Sequence, residues 1–169
     1  MAGLDPGGQR HGVHARHDVQ PFQIACDERR CSEVELRLDV RSLIAGAVVA
    51  RSGSVLLVRR AVPEGALVWQ FPAGKVDSGE APFDAAAREA LEEAGVVVEP
   101  LALIGERLHP VTGRRVAYVA CLWRSGQARP ASPREVAEVA WVPFGQLTEW
   151  IPGGVYGPVW EYLTGPALP

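Results

Sequence analysis

The stretch from Gly74 to Val96, GKVDSGEAPFDAAAREALEEAGV, restricts this chain more than any other. Pro82 suits the first helical position, where its missing N–H costs nothing, and from there Phe83, Ala86, Ala87, Ala90, Leu91 and Ala94 recur at helical spacing. Gly95 supplies a stop, with Val96 expected to pack back behind it. The predicted inner face is mostly alanine, so the helix can lie close against a sheet. Asp84, Arg88, Glu89, Glu92 and Glu93 form the predicted outer face.

Strand patterns surround this helix. Residues 43–50 and 54–60 are apolar runs separated by Arg51-Ser52-Gly53, which reads as a hairpin. VWQFPAG predicts a short strand that Pro72 must end or leave at an edge. Residues 101–109 and 115–123 predict a second hairpin, and 135–144 a further strand. A helical turn over 146–151 and a short helix over 155–163 complete the pattern. Strands outnumber helices, and the helices fall between groups of strands, so a mixed sheet flanked by helices is the natural architecture.

Ahead of the first hairpin, SEVELRLDV (32–40) alternates apolar and charged residues as a half-buried strand does. It reads as an added strand over 32–41, at a sheet edge or in a dimer contact. Residues 1–31 have no apolar period and are expected to be a flexible extension to a domain spanning 32–169. His11, His14 and His17 within it read as tail residues.

The length of 169 residues fits one domain, and a net charge of −3 gives no reason to expect nucleic-acid binding. No apolar run is long enough to cross a bilayer and no secretory pattern opens the chain, so a cytoplasmic protein without a membrane partner is expected. The cysteines, Cys26, Cys31 and Cys121, are odd in number and predict no disulfide framework.

Glu89, Glu92 and Glu93 stand at i, i+3 and i+4, close enough to repel one another. A wet helix face tolerates that arrangement. A hard divalent cation would make it favourable, because Mg²⁺ prefers carboxylate and water oxygens and bridges readily to phosphates.

The complete spacing is Gly74, five residues, Glu80, seven residues, Arg88-Glu89, two residues, Glu92-Glu93, one residue, then Gly95 and an aliphatic residue. It resembles the Nudix box position for position. Seven fixed identities, at ordinary frequencies of roughly 5–10% each, arise by chance far less than about once in a million start sites. Ala90 is smaller than usual at its position, and Ala81 replaces the common Ser or Thr cap.

The resemblance runs from about Leu43 to the C-terminus and implies an α/β fold of the Nudix type, an α/β/α sandwich with a mixed β-sheet. It implies Glu92 and Glu93 as Mg²⁺ ligands (Mn²⁺ as a substitute), Glu89 as a further ligand or base, and the Ala73 carbonyl as an added oxygen. Arg88 and Glu80 would orient these carboxylates. The implied chemistry is in-line hydrolysis of a nucleoside diphosphate linked to another group. A general base from the box or a downstream loop is also implied, and Glu135, placed by Pro133 before a strand, is preferred over Glu138.

VWQFPAGK and LLVRR are similar to flanks of MutT-like members, which favours a (deoxy)nucleoside triphosphate as the small-molecule partner. Candidate substrate contacts are Arg59, Trp69, Phe71, His109 and Tyr118. Arg59 and Arg60 alternate faces, so at most one can enter a pocket. The alternatives are ADP-ribose or a nucleotide sugar, for which Pro110 is suggestive, and a Nudix fold that binds a nucleotide as a non-catalytic regulator. A monomer and a homodimer are equally compatible with the sequence.

Overall fold

The computed structural model describes residues 43–65 and 67–165. The extension over 1–31, the added strand over 32–41, the early histidines and Cys26 and Cys31 lie outside the described residues.

Within them one sheet holds β1 Ile44–Arg51, β2 Ser54–Glu64, β3 Leu67–Gln70, β4 Ala73–Lys75, β5 Val97–Leu108, β6 Arg115–Ser125 and β7 Val136–Pro143. Helix α1 is Pro82–Ala94; α2, Leu147–Trp150, comes after a 3₁₀ turn; α3 is Gly157–Thr164. β1 runs parallel to β6 and every other pairing is antiparallel, so the sheet is mixed.

β1 and β2 meet at a two-residue turn in which both Ser52 and Gly53 have positive φ, the geometry that matches strand twist. They pair only at Ala50↔Val55 and Arg51↔Ser54 and then part. The gap between them leaves each strand with a free edge. In VWQFPAG the short strand ends before Pro72, as expected, giving β3, which pairs β2, and the chain continues after the proline as β4, which pairs β1. Pro72 has no N–H for a ladder, but its carbonyl accepts a hydrogen bond from Ala47 N at 2.8 Å.

The two faces of the sheet carry separate cores. Ala45, Ala47, Val49, Leu56, Val58 and Val119 pack under α1, against Ala85, Ala86, Ala90 and Ala94. Val48, Val55, Leu57 and Val142 pack on the opposite face against Leu147 of α2 and Val159 and Leu163 of α3. β1 and β2 are apolar without alternation because both of their faces are covered. The result is the expected α/β/α sandwich. Cys121 is a buried free thiol on the α1 side. Among the described residues no helix is long and apolar enough to cross a membrane.

Candidate active site

Helix α1 begins at Pro82 without a side-chain cap and ends at Gly95, whose φ of 69° lets its N–H reach Leu91 O at 3.0 Å. Val96 N closes on Ala90 O and its side chain is fully buried. The helix is rotated from the expected orientation. Ala85 is buried, whereas Leu91 is 51% exposed, and Glu93, expected on the outer face, is only 8% exposed. The sheet takes Phe83 and the alanines of the stripe and leaves Leu91 in water, which turns Glu89 and Glu93 toward β4.

That rotation puts the carboxylates on a backbone. Ala73 N donates to Glu93 Oε2 at 2.9 Å. Glu89 packs so closely on Gly74 that a Cβ there would lie 2.0 Å from Glu89 Oε1, so no other residue fits without moving the carboxylate. Glu92 points outward, with its side chain 56% exposed. The three glutamates thus fan from the inner to the outer side of the helix rather than sharing one wet face.

Arg88 ties this fan together. Its Nε and one terminal amine hold both oxygens of Glu80 at 2.9 and 3.0 Å, and the same amine donates to Lys75 O at 3.0 Å. The other amine donates to Glu89 at 2.6 Å and Glu92 at 3.2 Å. Arg88 and the Asp77 N–H hold the Glu80 carboxyl at about 2, well below the usual range. In return Glu80 and Glu89 raise Arg88 further above its ordinary value.

Glu93 behaves oppositely. Burial pushes its carboxyl up to about 8 against the pull of the Ala73 N–H, and Glu89 and Glu135 add to the rise. Burial raises Glu89 too, against Arg88. Glu135 therefore stands near both, in the loop before β7, where Ser132 Oγ donates to it at 2.9 Å. Among the described residues no three His, Cys, Asp or Glu side chains form a ready-made metal cage. The donor set nevertheless suits a hard cation: every group is an oxygen, and buried carboxylates whose charge is disfavoured by one another gain most from a divalent ion.

On the other side of β4 lies a cleft of about 410 Å³, on the α2/α3 face of the sheet. Ala73 and Gly74, whose backbone faces Glu93 and Glu89, also line it. Trp69, Phe71, His109 and Tyr118, expected as substrate contacts, all lie in its walls. His109 Nδ1 accepts from its own loop, from Val111 N and Thr112 N, and burial lowers its pKa. Arg59 is not in the lining: its guanidinium pairs with Glu138 of β7 at 2.7 Å. Arg60 takes that place, because the ladder with β7 slips between the two arginines. Alternation alone does not show a slipped register.

Among the lining residues that escaped the expectations are Arg107, Trp150 and Tyr156. Tyr156 stacks on Tyr118 with centroids 5.4 Å apart, and its hydroxyl donates to Glu106 O at 3.0 Å. Gly105 admits it, since a Cβ there would come within 3.2 Å of the ring. The signal for these residues is long-range, because β5 meets the loop before α3 only in the fold.

The family model for the NUDIX domain matches residues 40–156. A Mycobacterium tuberculosis protein named as a candidate 8-oxo-dGTP diphosphatase is 36% identical over 119 residues, covering 65% of this chain and 79% of its own. The 8-oxo-dGDP phosphatase of Mus musculus is 30% identical over 87 residues, 52% of this chain; that match spans only 27% of the mouse protein. Among solved structures, a NUDIX hydrolase from Nitrosomonas europaea superposes with a TM-score of 0.57 at 25% identity, covering 73% of this chain and 70% of its own.

Proposed function

The chain belongs to the Nudix hydrolase family, and from that premise we propose that it is a pyrophosphohydrolase cleaving a (deoxy)nucleoside triphosphate, normal or oxidised, to monophosphate and pyrophosphate. The observation that carries this is the double use of β4, whose Ala73 and Gly74 form the cleft wall on one side and seat Glu93 and Glu89 on the other. A phosphate chain lying along that wall is within reach of the carboxylate set.

Glu89, Glu92 and Glu93, with the Ala73 carbonyl, are the groups that would hold Mg²⁺ or, in its place, Mn²⁺. Such an ion supplies charge neutralisation at the bridging phosphates and a lowered pKa for the attacking water. The chain's own residues do the rest. Arg88 fixes two of the carboxylates, and Glu135, beside Glu89 and Glu93, is the proposed proton acceptor. Arg60, in the cleft wall and close enough to Glu93 to lower its pKa, adds positive charge for phosphate in the role first expected of Arg59. The aromatic walls offer stacking surface for a base.

Purified protein incubated with Mg²⁺ and a panel of nucleoside triphosphates, oxidised purine triphosphates, ADP-ribose and nucleotide sugars provides the test. Monophosphate and pyrophosphate should appear from a triphosphate and vanish in Glu92→Gln and Glu93→Gln. Turnover confined to ADP-ribose or a nucleotide sugar would overturn the substrate; tight binding without any turnover would make the chain a regulator.

A further inference from the structure

The cleft has a second charged end, away from the carboxylates. Arg107 of β5 lines it with its guanidinium against two tyrosines, 5.6 Å from the centre of the Tyr118 ring and 5.1 Å from that of Tyr156. Its Nε donates to Tyr118 Oη at 3.2 Å. Its two terminal amines have no protein acceptor among the described residues, and the adjacent Glu106 carboxylate is spent on Arg115 at 2.6 Å. The side chain is therefore held by its Nε and by the two neighbouring rings while its two-pronged edge stays unspent.

Its place is set by strand register. Arg107 pairs Val116, Val116 pairs Ile44, and Ile44 pairs Lys75 of β4. Three inter-strand steps put its backbone roughly 14 Å from β4. A group that far away does not touch a phosphate seated on Ala73 and Gly74. The sugar and α-phosphate of a nucleotide span such a distance, so Arg107 faces the base.

We propose that Arg107 is a specificity-determining residue that selects 6-oxopurine nucleotides, of the guanine or hypoxanthine type, over 6-aminopurines; this rests on the proposed nucleotide hydrolase activity. A guanidinium edge presents parallel N–H donors, and guanine presents two adjacent acceptors, O6 and N7. Adenine offers N7 beside an amino group, which sets donor against donor. Of the carboxylates next to Arg107 in sequence or in the cleft wall, Glu106 is paired with Arg115 and Glu64 with Arg60.

The discriminating pair is dITP and dATP, whose bases differ in the 6-substituent and the proton it places on N1. Wild-type kcat/KM should favour dITP and dGTP over dATP by about tenfold or more, and the ratio should fall below about threefold in both Arg107→Gln and Arg107→Met. Because both substrates report on the same folded molecules, the ratio is insensitive to a misfolded fraction. A wild type without preference, or variants that keep it, would overturn the assignment. Quenching of tryptophan fluorescence by IMP and AMP without metal separates this idea from the one it rests on. If no triphosphate is cleaved, the hydrolase reading fails, and IMP binding no tighter than AMP then sinks the role of Arg107 as well.

Discussion

The two ends of the cleft are built differently. The carboxylate end draws mainly on one continuous stretch, Ala73 to Gly95, with Glu135 and Arg60 brought to it, and is dense with charge: Arg88 alone holds Glu80, Glu89 and Glu92. The aromatic end is assembled from β3, β5, β6 and the loop before α3, and there Arg107 keeps both terminal amines without an acceptor among the described residues. The first end is a local device on a helix, the second a product of topology. Chemistry and selection should therefore respond to perturbation separately, and a change of pH or a single added methyl group at either end can break that separation.

The largest expected effect is on stability. Glu93 is pushed up to about 8, and Glu89 is raised too, so between the unfolded value near 4.5 and about 8 the folded state holds protons that the unfolded chain has released. Metal-free protein should then lose stability as pH rises through that window, by roughly 2–4 kcal/mol at Glu93. Glu80, held at about 2, has the opposite sign but acts only at pH values lower than the window. Denaturant melts in a chelator at pH 5 and pH 8 measure this; Glu93→Gln should flatten the difference, and Mg²⁺ at pH 8 should restore stability to the wild type. A wild type equally stable at both pH values would show that Glu93 is not the strained group described.

This contrast also explains what the sequence disclosed. The spacing of Gly74, Arg88, Glu89, Glu92 and Glu93 lies within one helix and its flanks, so periodicity and the box resemblance together reveal it. The helix rotation was not legible, because a wheel places Leu91 inward and Glu93 outward; only the seat on Ala73 N shows why a carboxylate is buried instead. Arg60 was hidden by a ladder slip, and Arg107 and Tyr156 by contacts 11 and 38 residues away along the chain from Tyr118. Of the fold, the strands, the helices and the stop at Pro72 were readable, while the pairing of β4 with β1 depended on how β1 and β2 part.

Next in size is Gly74→Ala. A Cβ 2.0 Å from Glu89 Oε1 must push that carboxylate off its seat. Groups that orient metal ligands typically contribute 10–100-fold, and displacing a proposed ligand belongs at the upper end, so kcat should fall by about 100-fold. The dITP to dATP ratio should hold, since nothing at Arg107 moves. A change in that ratio would show that the two ends are coupled through β4.

The smallest effect comes from the same substitution at the other end. In Gly105→Ala the new methyl meets Tyr156 at 3.2 Å, a contact relieved by a shift of a few tenths of an ångström in a ring tethered through Glu106 O and Tyr118. Tyr156 also lies against Arg107, so its shift loosens the guanidinium without touching the box. KM for the preferred purine should rise about three- to fivefold, equivalent to under about 1 kcal/mol, with kcat unchanged. Steady-state kinetics on Gly74→Ala and Gly105→Ala side by side thus set a kcat defect against a KM defect from one added methyl group. Were Gly105→Ala to lower kcat as well, the aromatic end would be acting on the reacting phosphate, and Arg107 would have to be reconsidered as a phosphate-binding group.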